Sequence, residues 1–210
     1  MTGPCRVEGA IAARARAAIT SDRARDRSSD APVRGLLDSL RHNLLGGETH
    51  YPARPGMTEL RALVAARLEA QGLPERGVGS VLITASEGEA LFVCLLGLGA
   101  FPDGSVAGSI SAEHQPLLDW TGVRVSDSEA TPRVITIGDR LFRDVDVSVD
   151  PADVIIGSLD GLDGMNPFTL GFVAGEPETV AKITKWKQAS SICAPGPSQR
   201  AALWALGVRP

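Results

Sequence analysis

Short apolar runs set at intervals between longer helix-patterned stretches constrain this chain more than any other feature. SVLIT (80–84), SVAGSI (105–110), RVITIG (133–138) and DVIIGS (153–158) are near-continuous apolar segments, with VRVS (123–126) and FTLGFVAG (168–175) beside them. Strands buried on both faces read as unbroken apolar runs, because neither face meets water. Between them lie segments of helical period: residues 32–45, TELRALVAARLEAQGL from Thr58, ALFVCLLGLGA, QPLLDWTG, PETVAKITKWKQASSI and PSQRAALWALG. Thr58 is the expected N-cap of its helix and Gly72 its terminator, while Gly46 and Gly47 stop the preceding one. Strands alternating with helices predict an α/β protein: a three-layer α/β/α arrangement on a mainly parallel sheet of about six strands.

Composition narrows the function classes. The chain has 210 residues, 43% hydrophobic and 22% charged, enough for one domain with a sizeable core. A net charge of −4 argues against nucleic acid and polybasic membrane contact. The longest apolar run, Ala90 to Phe101, is too short to span a bilayer. Without a charged-then-apolar leader, the expected location is cytoplasmic. Residues 6–19 have an alanine-rich helical pattern and residues 20–31 are polar and charged, so 1–31 is expected to be a helix and mobile connector ahead of a domain over 32–207. Cys5, Cys94 and Cys193 are too scattered for a disulfide framework or a metal cage. The only lysines are Lys182, Lys185 and Lys187, read as a solvated helix face; any amine chemistry must use them.

Four segments are candidates for chemistry. The turn TASEG (84–88) follows a buried strand and opens a buried helix, where free backbone N–H groups and the helix dipole favour an anion such as a phosphorylated small molecule. Ser86 adds a hydroxyl, and Glu87 would oppose the anion if it pointed inward. The ordinary alternative is a capping box of Ser86 with Glu89. Asp139 ends the strand RVITIGD, at the kind of strand end where sites form in open α/β sheets; the alternative is a turn aspartate paired with Arg140 or Arg143. Asp144, Asp146, Ser148 and Asp150 share one face of a period-2 segment, most simply a solvated face. SLDGLDG (158–164) lacks the spacing of a calcium loop and reads as a glycine-rich turn. His114 has no cysteine or histidine near it in sequence, so no metal is expected there.

The order of these segments resembles the class I/II aminotransferases, pyridoxal-phosphate-dependent enzymes of fold type I. HYPARPGMTELRALVAARL is similar to the family's tyrosine, glycine and Leu-Arg helix near the partner subunit. VLITASEGEALFVCLLGL resembles its strand, phosphate loop and helix. VITIGDRLFRDV resembles the strand ending in the aspartate that binds the pyridine nitrogen. VIIGSLDGLDGMNPFTLGFVAG follows the Ser-x-Ser-Lys…Pro-Gly-x-Arg-x-Gly signature, and KQASSICAPGPSQRAALWAL the closing helix pair. The resemblance spans most of residues 35–207. It implies a reduced transferase large domain, with FTLGFV as an antiparallel strand. It also implies cofactor contacts at Ser86, Asp139, Ser158 and Tyr51, with His114 in place of the stacking aromatic.

Within the resemblance the motifs are degenerate. The Schiff-base lysine falls on Gly161, the phosphate-binding arginine on Thr169, and Pro167 replaces the signature glycine. The Asn-Pro-x-Gly segment and the C-terminal small domain have no counterpart, so the chain reads as truncated. A glycine supplies neither the amine that captures the coenzyme nor the proton carrier. The expectation is an aminotransferase-like protein without transaminase activity, to which pyridoxal phosphate binds noncovalently if at all. It would act as a homodimer, through Tyr51 and the 30–45 arm, or as a partner of another protein. The alternatives are an active enzyme whose amine is relocated to Lys182, Lys185 or Lys187, and a noncovalent binder of a phosphorylated small molecule at Ser86.

Overall fold

Six strands form one sheet in the order β1-β6-β5-β4-β2-β3. They span Val81–Thr84 (β1), Ser105–Ser109 (β2), Arg124–Val125 (β3), Arg133–Thr136 (β4), Val154–Ser158 (β5) and Gly171–Ala174 (β6). The computed structural model describes residues 34–126, 128, 131–143, 145, 147 and 154–208, which belong to one compact unit. The N-terminal helix and connector expected over 1–31, and the acidic face at Asp144, Asp146, Ser148 and Asp150, lie outside the described residues. Strands β2–β3, β2–β4 and β4–β5 pair in parallel. Only β6 runs against the rest, inserted between β1 and β5, with Leu82 opposite Val173 on one side and Ile156 opposite Val173 on the other. This is the three-layer α/β class expected from the rhythm of apolar runs, with FTLGFV supplying the antiparallel strand.

Alternation along the strands sorts the core into two layers. Val81, Ile83, Ile155, Phe172 and Ala174 face a cluster completed by α1 (Arg34–Leu45), α2 (Thr58–Ala70) and α6 (Gly196–Ala205). Leu82, Val154, Ile156 and Val173 face the opposite cluster, completed by α3 (Glu87–Gly97), α4 (Gln115–Thr121) and α5 (Pro177–Ser191). Successive strand residues point to opposite sides, so an apolar run must have a helix layer on each. Burying these side chains is what holds the layers, at roughly 1.5–3 kcal/mol for each fully buried large aliphatic or phenyl group.

Two local expectations, at Thr58 and at Lys187, are corrected. Thr58 is the first residue of α2 rather than its cap; Met57 holds the cap position and no side chain caps it. In α1 only Leu36 and Leu40 are buried, while Leu37, Leu44 and Leu45 are exposed. Lys187 is not on a solvated face: its side chain is fully buried. It follows Ile183 by four and Val180 by seven, which places it on the core-facing stripe of α5.

Candidate functional site

Ser86, His114, Asp139 and Ser158 follow or end β1, β2, β4 and β5, and strands β1, β2, β4 and β5 all run the same way. These residues therefore gather at one mouth, the carboxyl end of the parallel strands. Each is held there by a local contact.

Ser86 is extended and caps α3: its Oγ accepts the Glu89 N–H at 3.1 Å. The Glu89 carboxylate returns to the Ala85 N–H at 2.5 Å, one residue before the cap, closing a variant of the capping box. Behind this turn, Gly171 lies so close that a Cβ there would sit 2.3 Å from the Ser86 carbonyl oxygen, so only glycine fits where β6 passes under α3. Thr169 turns its hydroxyl to the Ala85 carbonyl at 3.3 Å. Two donors of the turn, the Ala85 and Glu89 N–H groups, are thus engaged within the chain.

Glu87 does point inward. Its Oε1 accepts the Gly138 N–H at 3.1 Å, tying α3 to the end of β4. Its Oε2 lies 3.8 Å from His114 Nε2. Burial pushes the Glu87 carboxyl above its ordinary range; the Gly138 N–H and the His114 imidazole pull it back, and Glu113 and Asp160 raise it further. Glu87 therefore adds a carboxylate to the mouth beside the first turn of α3, which disfavours an anion there.

Asp139 is paired with Arg143, one of the two turn partners weighed for it. Ser158 is buried, and its Oγ accepts the Asp160 N–H at 3.0 Å. Asp160 in turn accepts the Leu170 N–H, at 3.3 Å, which folds the glycine-rich turn back onto β6. Gly161 sits against Asp139: a Cβ there would be 2.9 Å from the Asp139 carbonyl oxygen and 3.1 Å from its Cβ. The segment around residue 161 is therefore at the mouth, beside the β4 aspartate. Tyr51 stands apart, 79% exposed, and takes part in none of these hydrogen bonds. A groove of about 280 Å³ near it runs between α1 and α6, lined by Leu40, Leu44, His50 and Met57 among others; none of the mouth residues lines it.

Sequence spacing missed two features. Lys187 Nζ reaches Glu89 Oε1 at 3.3 Å and Ser191 Oγ at 2.9 Å, a buried amine serving the base of α3. Glu87, Glu113 and His114 form a group of metal-ligating side chains. Lys187 looked solvated because its anionic partner lies far away in the chain, and His114 looked alone because its neighbours are glutamates, one from another element.

The fold is that of the aminotransferases to which the chain is similar in structure. One is YbdL from Escherichia coli, with a methionine aminotransferase function: TM-score 0.67, 18% identity, covering 85% of this chain and 63% of that one. Another is the aspartate aminotransferase of Thermus thermophilus, at TM-score 0.70 and 14% identity over 98% of this chain and 73% of that one. A third is the N-succinyldiaminopimelate aminotransferase of Mycobacterium tuberculosis, at TM-score 0.65 and 17% identity, covering 86% and 63%. The chain thus spans less than two thirds of the length of the first and third. No family model matches the chain, and no curated protein matches it in sequence.

Proposed function

We propose that this chain keeps an aminotransferase-like fold without transaminase chemistry and works as a binding or partner protein, most simply as a homodimer. The observation that carries the reading is the packing of Gly161 against Asp139. The residue that the resemblance aligns with the Schiff-base lysine has no amine, and its surroundings leave a Cβ 2.9 Å from a backbone oxygen. The residues around it do not fit pyridoxal phosphate held in the manner the resemblance implies. Glu87 brings a carboxylate into the mouth, where it opposes a phosphate, and Thr169, whose hydroxyl faces the Ala85 carbonyl, stands in for the arginine. Among the lysines, Lys182 and Lys185 are exposed and the Lys187 ammonium is taken up by Glu89 and Ser191. The same inward Glu87 weighs against a phosphorylated ligand at Ser86.

The homodimer is supported by apolar side chains exposed among the described residues: Leu45 at 78% and Tyr51 at 79% exposure, with Leu37 and Leu44 also exposed. One preparation tests both parts. Incubation with pyridoxal phosphate, then borohydride reduction and peptide mapping, is expected to leave no stoichiometric pyridoxyl peptide, and light scattering to return twice 22.0 kDa. A single pyridoxylated lysine in full yield sinks the first part; a monomer sinks the second.

A further inference from the structure

Where the first turn of α3 meets the short 3₁₀ turn Ala112–His114, three side chains converge that the capping network does not use. Glu87, Glu113 and His114 each offer one ligand atom, and the three atoms lie within 4.8 Å of one another. We propose that these residues bind a divalent transition-metal cation, with Zn²⁺ as the reference ion and water completing its coordination.

The histidine makes the cluster more than a patch of acids. Its Nε2 is closed off from solvent and has no hydrogen-bond partner, and its side chain is only 12% exposed. A buried polar nitrogen left unsatisfied is destabilising, and ligation removes that cost. Glu87 Oε2 stands 3.8 Å from that nitrogen. This is too long for a hydrogen bond and a few tenths of an ångström beyond the roughly 3.4 Å between two ligand atoms that are each about 2.0–2.2 Å from one tetrahedral ion, a gap that a small side-chain adjustment closes. The wider separations close through Glu113, whose side chain is exposed.

The supporting contacts are those a metal site needs. The Gly138 N–H holds Glu87 Oε1 and so orients Oε2. Ser111 Oγ donates to Glu113 Oε1 at 3.1 Å, leaving the other oxygen. Outer partners of this kind fix ligand orientation. The charges felt by Glu87 are Glu113 and Asp160 against one imidazole, an excess of negative charge that a dication neutralises. One imidazole with two carboxylates suits zinc, cobalt or manganese rather than a soft thiolate-seeking ion.

This inference rests on neither the resemblance nor the function proposed above. A pyridoxyl peptide would overturn that reading and leave this one to its own titration. The test uses the full chain freed of metal by EDTA and dialysis, titrated with ZnCl₂ by calorimetry and with CoCl₂ by visible absorption. One equivalent of Zn²⁺ is expected to bind at about 10 µM or tighter, with cobalt bands that report nitrogen and oxygen ligation. Glu113→Gln and His114→Ala should each weaken zinc binding about tenfold or more and shift or abolish the cobalt bands. His50→Ala, at an exposed histidine outside the cluster, should change neither. If His114→Ala fails to fold, the exposed Glu113 carries the comparison. No binding up to about 1 mM, or binding that Glu113→Gln leaves within about twofold — an adventitious ion only — overturns the proposal.

Discussion

Glu87 and Glu89 stand two residues apart in the first turn of α3, and at about 100° per residue they leave the helix on nearly opposite sides. Glu89 faces the base of the helix, where every neighbour answers it: the Ala85 N–H, the buried Lys187 ammonium and the Ser191 hydroxyl. Glu87 faces the mouth of the sheet and receives one N–H, from Gly138, with an unpartnered imidazole nitrogen opposite. The same residue type in the same turn thus serves two ends. A closed network fixes how α3 sits on β6 and α5, while a partly open one remains available to something from outside.

The sharpest break in that contrast is Lys187→Ala. Removing one partner of a buried ion pair leaves the other charge uncompensated, which typically costs 3–5 kcal/mol. Glu89 keeps two other donors and is 17% exposed, so a loss of about 3 kcal/mol is expected, read from the urea midpoint at unchanged slope. A loss under about 1 kcal/mol would mean that the base of α3 is not the structural side. Ser86→Ala comes next. It deletes the cap on the Glu89 N–H and should cost about 1 kcal/mol, visible in the same denaturation curves.

The smallest effect is expected from Glu87→Gln, measured in EDTA. Burial holds the Glu87 carboxyl above its unfolded value. Between the ordinary carboxylate pKa and the raised one, the folded chain binds the extra proton, so wild-type stability falls as pH rises through that window. Glutamine removes this contribution and can still accept from Gly138. At neutral pH the variant should match or exceed wild type by up to about 1 kcal/mol, and its advantage should shrink on acidification through the window. A variant that is less stable at neutral pH would make Glu87 a structural residue like Glu89.

Much of the scaffold was legible because burial writes itself into sequence locally. SVLIT, DVIIGS and FTLGFVAG announce doubly buried strands, and Ser86 followed by Glu89 announces a helix start. The resemblance to the transferase large domain added what periodicity could not, the reversed direction of β6. The mouth was legible only in outline. Ser86, His114, Asp139 and Ser158 do collect there, but what each side chain does depends on partners far along the chain. Lys187 reads as one of three lysines on a polar helix until Glu89 is placed beneath it. His114 reads as solitary because its neighbours are glutamates, one of them from α3. Thr58 misled for a simpler reason: a residue with good capping chemistry can equally well begin the helix.

The reversed strand has a consequence for how the chain acquires its shape. Within the sheet, β1 pairs only with β6, which leaves the ribosome about ninety residues later, and β5 needs β6 on its free side as well. Until Gly171–Ala174 arrive, both strands present open backbone edges and half-covered apolar surface, the condition under which nascent chains pair with one another. Completion of this sheet therefore waits on one four-residue segment, and substitutions in it should show in the yield of soluble protein before they show in the properties of the molecules that mature.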